Sequence, residues 1–258
     1  VRHQSRRGIE VVTGSVERID PERRTVTVNG QEWMGDYLVI ALGAELAPGA
    51  IRGMEESGYN LYTVTGAEAL ARALDRFEGG RLLLLIASIP FRCPAAPYEA
   101  AMLLEAKLAQ RGEHPETEIA IYTPEPGPMP VAGPAVSAQV RALVEAKGID
   151  YHTDETVERV DADARRIEFA SGEKVGFDLL VFVPPHQAPQ VVVEAGLTGE
   201  RGWVPVDRHT LQTRFSNVFA IGDVTGIPLA HGKPLPKAGV FANGQAEVVA
   251  HNIAREIN

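Results

Sequence analysis

The only cysteine of the chain, Cys93, sits in the stretch Arg92-Cys-Pro-Ala-Ala-Pro-Tyr-Glu99, directly ahead of a run with helical spacing of apolar residues. A thiol acts as a nucleophile in its thiolate form, and an adjacent guanidinium and a following helix N-terminus both favour that form. Cys93 is therefore the candidate redox-active thiol. One cysteine excludes an intramolecular disulfide and leaves a free thiol, an intermolecular bond or an adduct. A second constellation closes the short apolar run Asn217-Val-Phe-Ala-Ile-Gly-Asp223. There Gly222 permits close approach of backbone to a ligand, and the Asp223 carboxylate can accept hydrogen bonds from hydroxyl groups. Lys237-Ala238-Gly239 stands at the entry to the last helical run, where free N–H groups and the positive dipole end suit negative charge. The seven histidines are scattered, without ligand spacing to cysteine or carboxylates, so no metal site is expected. His186 and His231 lie in loops that could face this region, and neither carries a motif.

These residues are positioned by a chain that repeats itself. Gly8-Ile9-Glu10 returns as Gly148-Ile149-Asp150, Val16-Glu17-Arg18 as Val157-Glu158-Arg159, and Asp36-Tyr-Leu-Val-Ile40 as Asp178-Leu-Leu-Val-Phe182. Each copy reads as a strand, a meander with charged turns (Asp20-Pro21-Glu22 and Asp161-Ala162-Asp163), and a buried apolar strand of the kind found in parallel sheets. Between the copies lie a buried strand at 82–88, a helix at about 97–111 with Ala101, Leu104 and Leu108 on one face, a strand at 118–123, and a helix at about 135–147 closed by Gly148. The Pro/Gly-rich stretch 124–134 reads as a surface loop. This βαβα succession predicts a parallel sheet with right-handed crossovers. A final amphipathic helix is expected at about 237–256 with Val240, Ala246, Val249 and Ile253 on its apolar face.

Leu211-Gln-Thr213 followed by Val218-Phe-Ala-Ile-Gly-Asp223, together with Ala41-Leu-Gly43-Ala at the end of the first meander, resembles the signature of two-dinucleotide-domain flavoproteins. Pyridine-nucleotide users carry G-x-G-x-x-G-x-E after the strand at 82–88, so that backbone reaches the pyrophosphate. Counting back from Glu99, those glycine positions hold Arg92, Pro94 and Pro97, which add bulk and, at the prolines, remove donors. NAD(P)H is accordingly disfavoured. The loop that replaces the fingerprint is similar to the Cys-Pro-x-Ala-Pro-x-Glu loop of the sulfide:quinone reductase and flavocytochrome c sulfide dehydrogenase group, whose cysteine serves sulfide oxidation.

That resemblance implies an α/β fold of tandem Rossmann-like FAD/NAD(P)-binding domains, the first incomplete and discontinuous. Residues 1–46 and 186–258 would form the partial FAD domain, 76–185 the second domain, and 47–75 a connection. It implies Cys93 and Lys237 as catalytic residues, and Ala41, Gly43, Gly222, Asp223, Ala238 and Gly239 as contacts of FAD. The group's FAD fingerprint has no counterpart ahead of Val1, so FAD is expected to bind weakly or not at all, and a second cysteine of the group has none either. The implied partners are a sulfur-compound substrate, a quinone or cytochrome-type acceptor, and a second copy or companion chain. The alternatives are a flavin-free module without turnover and an NADH:acceptor reductase.

Bulk composition limits the remaining classes. With 45% apolar and 23% charged residues over 258 positions the chain can bury two modest cores. A net charge of −9, with Arg2, Arg6 and Arg7 as the sole basic cluster, argues against nucleic acid. The longest apolar run, 82–88, is far short of the roughly 20 residues of a membrane-spanning helix. A cytoplasmic location, or one peripheral to a membrane, is the expectation.

Overall fold

The computed structural model describes residues 8–111, 117–230 and 232–257. Arg2, Arg6, Arg7 and His231 lie outside the described residues. The chain divides into two compact units, one of residues 1–45, 187–234 and 239–258 and one of 46–186 and 235–238.

In the second unit, five strands form a parallel sheet in the spatial order Tyr59–Asn60, Leu179–Val183, Arg81–Ile86, Glu118–Tyr122, Ile149–His152. Arg81–Ile86 is the first long strand. The chain then winds outward through Glu118–Tyr122 and Ile149–His152, and returns to the other flank as Leu179–Val183. The reversal of winding between Arg81–Ile86 and Leu179–Val183 is a topological switch point, where α/β sheets open a crevice at their carboxyl ends. Leu82, Leu83, Leu84, Leu85 and Ile86 are all fully buried, because helices cover one face and a three-stranded meander the other. Helix Ala96–Arg111 buries Ala101, Leu104 and Leu108 as its periodicity predicts. Helix Pro134–Glu145 ends ahead of Gly148, whose φ of 71° is the left-handed conformation that a terminating glycine adopts at no steric cost. The segment expected as a connection contributes an edge strand, Tyr59–Asn60, and a helix, Val64–Leu74, whose Thr63 hydroxyl accepts the Gly66 N–H at 3.0 Å.

The internal repeat is visible in hydrogen-bond register. In the first unit Val16, Arg18, Ile19 and Asp20 oppose Val28, Thr27, Val26 and Thr25, with a bulge between Val16 and Arg18. In the second, Val157, Arg159, Val160 and Asp161 oppose Phe169, Glu168, Ile167 and Arg166, with a bulge between Val157 and Arg159. The turns repeat as well. Asp20 Oδ1 accepts the Arg23 N–H and Asp161 Oδ1 the Ala164 N–H, each at 3.0 Å, and the next residues, Arg24 and Arg165, take positive φ of 55° and 48°.

The first unit is built on a two-stranded parallel pair, Leu38–Ile40 with Val218–Ala220, and the long helix Gly239–Ile257. Ile40, Val192, Trp203, Val204, Val218, Ala220 and Val224 share its core. Two sequence expectations need correction here. Leu38–Ile40 is not a continuously buried strand, since Val39 is exposed and Leu38 half-buried. The final helix buries only part of the expected face: Val249 is buried and Ile253 half-buried, while Val240 is 75% exposed and Ala246 exposed, and the polar Gln245 is buried beside them. The reason is polar. Gln245 turns inward so that its Oε1 accepts the Gly222 N–H at 2.6 Å, and the helix follows.

Candidate functional site

Four strand ends of the second unit place side chains or loops at the carboxyl edge of the parallel sheet. Tyr62 follows Tyr59–Asn60, Arg92 and Cys93 follow Arg81–Ile86, His186 follows Leu179–Val183, and Glu125 follows Glu118–Tyr122. Cys93 and His186 thus belong to the two strands that flank the switch point. Cys93 is exposed and takes a φ of 51°, a conformation non-glycine residues adopt only under restraint. The restraint is visible. Its N–H donates to the Lys237 carbonyl at 2.8 Å, and its own carbonyl accepts the Ala96 N–H at 2.9 Å, opening helix Ala96–Arg111. Arg92 and Lys237 are joined by a parallel backbone bridge, so the two motifs singled out from the sequence, 145 residues apart, are adjacent strands of chain. Lys237 is buried.

Two neighbours complete this site. The Tyr62 hydroxyl donates to the Arg92 carbonyl at 2.6 Å and reaches the Cys93 carbonyl at 3.4 Å, while the Arg92 guanidinium lies 5.8 Å from the centre of its ring. The His186 ring meets Tyr62 edge-on, with centroids 5.3 Å apart. His186 Nδ1 pairs with the Pro184 carbonyl at 2.9 Å, which makes that nitrogen the donor and leaves Nε2 the basic lone pair. Burial, reinforced by the positive Arg92 and Lys237, pushes the His186 pKa down to about 4, so the ring is neutral near neutral pH.

Behind the loop lies a buried polar network. The Tyr98 hydroxyl donates to the Glu125 carboxylate and stands 3.4 Å from the Tyr151 hydroxyl, and Glu125 N–H donates to Thr123 Oγ1 at 3.1 Å. Burial, then the charge of Glu125, raises the pKa of Tyr98 far above the usual phenol value. The expectation that 124–134 is all surface loop is corrected at this point, because Glu125, Gly127 and Pro128 are buried. Glu125 is the first carboxylate after its strand. Nucleotide-binding sheets use an acidic group in this region for the ribose hydroxyls, whereas Glu125 faces inward onto Tyr98.

The first unit gathers its own set. The Leu211–Thr213 segment runs beside Val218–Ala220: Ala220 N–H donates to Leu211 O at 3.1 Å and Thr213 N–H to Val218 O at 2.8 Å. The strand ends in the turn Gly222–Val224, where Gly222 has φ 71° and a Cβ on it would stand 3.3 Å from the Ala242 Cβ. Gly43 also has positive φ, 72°, with open space around it. Open space also surrounds Gly239, the first residue of the final helix. Ala41 is exposed and Asp223 half-buried. A glycine-lined strand end, a carboxylate and an accessible helix N-terminus suit the hydroxylated chain and the pyrimidine edge of a reduced, anionic flavin. Ala238 belongs with Lys237 to the second unit.

A parallel sheet with a helix-opening loop at its switch point, joined in one chain to a unit with a Gly-Asp turn on a helix, defines a nucleotide-cofactor oxidoreductase scaffold. The chain belongs to the pyridine nucleotide-disulphide oxidoreductase family, whose model matches residues 96–246. Among curated proteins it is 31% identical over 263 residues to the sulfide-quinone reductase of Aquifex aeolicus, covering 96% of this chain and 61% of that protein. It is 28% identical to the mitochondrial sulfide:quinone oxidoreductase of Mus musculus over 86% of this chain and 52% of that one. The solved structure of the Aquifex aeolicus sulfide:quinone oxidoreductase superposes with a TM-score of 0.84 at 28% identity, covering 98% of this chain and 62% of that chain. The chain therefore spans between half and three fifths of the length of these relatives. Type II NADH:quinone oxidoreductase of Staphylococcus aureus also matches, at 22% identity, 97% of this chain and 65% of that one. Among the described residues no helix is long and apolar enough to cross a membrane.

Proposed function

We propose that this chain is the larger part of a flavin-dependent oxidoreductase that takes electrons from a sulfur compound through FAD and passes them to a quinone or cytochrome-type acceptor. The observation that carries the reading is the restrained, exposed Cys93 at the switch point, standing where a pyridine-nucleotide enzyme has its glycines. FAD, when bound, supplies a two-electron acceptor. Gly43, Gly222, Asp223 and the Gly239 helix N-terminus, all in the first unit, would hold it.

The chain's own residues account for binding and orientation of the sulfur species. Cys93 presents its thiol beside Arg92, and an incoming sulfur would be oxidised by forming an S–S bond to Cys93 Sγ, with loss of two electrons and the protons of both S–H groups. Arg92 and the first turn of helix Ala96–Arg111 supply positive potential for an anionic sulfur nucleophile. The backbone bridge from Arg92 to Lys237 fixes the loop against segment 235–238 of the same unit.

The test is the visible spectrum of the protein after soaking with FAD and desalting, followed by anaerobic addition of sulfide. Retained flavin that bleaches with sulfide, and no bleaching in Cys93→Ser, is the expected result. Bleaching at the full rate in Cys93→Ser would remove Cys93 from the reaction. A colourless protein after soaking would favour the flavin-free alternative.

A further inference from the structure

Tyr62 comes from the segment 47–75, to which the sequence assigns no chemistry, yet its hydroxyl touches the main chain of both Arg92 and Cys93. We propose that Tyr62 is a positioning residue: its hydroxyl holds the Arg92–Cys93 backbone in the left-handed conformation that presents the Cys93 thiol.

A non-glycine residue at φ 51° is disfavoured by contact between Cβ and backbone, and persists where its surroundings over-determine it. At Cys93 the N–H is tied to the Lys237 carbonyl and the carbonyl to the Ala96 N–H, both by main chain. The Cys93 N–H and the Arg92 carbonyl are the two edges of one peptide plane, whose orientation sets the φ of Cys93. Lys237 ties one edge of that plane, and Tyr62 ties the opposite edge by its oxygen at 2.6 Å.

Tyr62 is itself held. The His186 ring packs edge-on against it, the Arg92 guanidinium covers its ring, and its own N–H donates to Asn60 Oδ1 at 2.9 Å. Burial, and next the charge of the Cys93 thiolate, raise its pKa well above the usual phenol value. The hydroxyl therefore stays a donor throughout the neutral range, and a carbonyl partner needs a donor. The proposal rests on the reading of Cys93 as the working thiol, and adds the device that aims it.

Because the chain has one cysteine, labelling with [13C,15N]cysteine gives a single backbone amide resonance to follow. In the unmodified protein its amide-to-Hα coupling and Cα shift should report a positive φ. Tyr62→Phe keeps the ring against His186 and Arg92 and removes only the hydroxyl. In that variant the Cys93 resonance should leave its left-handed position or split. Alkylation of the thiol by iodoacetamide should also slow by about fivefold, the effect of one neutral hydrogen bond. Thr63→Ala removes the helix cap next door and is the control for a merely structural loss. It should lower the melting temperature and leave the Cys93 resonance in place.

An unmoved resonance and an unchanged alkylation rate in Tyr62→Phe would overturn the proposal, as would a negative φ for Cys93 in the unmodified protein. Failure of the wider reading shows elsewhere: full sulfide-dependent flavin reduction in Cys93→Ser would deny the thiol its role while leaving these spectra as expected.

Discussion

Replacing Tyr98 by Phe tests the buried network behind the cysteine loop. Glu125 is 3% exposed and accepts from the Tyr98 hydroxyl, while Thr123 Oγ1 stands 3.5 Å from the same carboxylate oxygen. Leaving a buried acceptor without its donor costs about 1–3 kcal/mol. Tyr98→Phe removes one donor without changing the volume of the ring, so a destabilisation of about 2 kcal/mol is expected. At 258 residues this corresponds to a fall in melting temperature of about 4–8 °C. Glu125→Gln keeps an acceptor and should cost about half as much. Glu125→Leu leaves the Tyr98 and Tyr151 hydroxyls, 3.4 Å apart, to satisfy each other. The double variant Tyr98→Phe/Glu125→Leu should then be at least about 1 kcal/mol more stable than the sum of the single losses, as contacting partners are non-additive. Urea unfolding at pH 7 of the four proteins measures the cycle. A Tyr98→Phe protein within about 0.5 kcal/mol of the parent, or strictly additive losses, would show that the bond carries no energy.

Other perturbations read other parts of the structure. His186 has a folded pKa of about 4 against an ordinary 6.5, so the unfolded chain binds the extra proton between those values. Stability from this group is complete above about pH 6.5 and is lost as pH falls toward 4, up to a ceiling of about 3 kcal/mol. His186→Phe should flatten that slope in urea titrations, and an unchanged slope would refute the assignment. Gly53 has φ 78°, and a Cβ there would stand 1.9 Å from the Val160 carbonyl oxygen. Gly53→Ala should therefore cost more than about 3 kcal/mol, or prevent folding, and a near-native melting temperature would contradict the close approach. With FAD bound, NADH should leave the flavin oxidised in stopped-flow mixing, because Arg92, Pro94 and Pro97 fill the pyrophosphate positions; rapid bleaching by NADH would revive the reductase alternative.

What the sequence discloses is what local pattern controls. The meander repeat, the buried Leu82–Ile86 strand and the helix over Ala101, Leu104 and Leu108 all follow from periodicity, and their burial in the structure agrees. The cysteine loop was legible because its prolines and charge sit in an eight-residue stretch. Its neighbours were not. Tyr62 lies 31 positions upstream of Cys93 and meets it only because Tyr59–Asn60 is an edge strand beside Leu179–Val183, a pairing too short to leave a sequence pattern. His186 was visible as a loop residue, but no motif says that its ring packs on Tyr62. Glu125 sits in a Pro/Gly-rich run whose composition points to solvent, and its inward turn depends on Tyr98 and Thr123. The final helix was legible only in part for a related reason: Val249 is buried as the periodicity suggests, while the Gln245–Gly222 bond draws a polar residue onto the same buried face.

Poor binding of a dinucleotide is then expected on three separate physical grounds rather than one. Bulk at Arg92, Pro94 and Pro97 keeps the pyrophosphate from the backbone, and two prolines supply no N–H groups to it. The Cys93 N–H donates to the Lys237 carbonyl instead of a phosphate oxygen. Glu125, the first carboxylate after the neighbouring strand, is engaged by Tyr98 and withdrawn from solvent. Restoring glycines to the loop would undo only the first cause. A variant carrying glycine at 92, 94 and 97 should consequently remain a poor binder of NADH, and saturable binding in the micromolar range by that variant would show that the loop alone decides the electron donor.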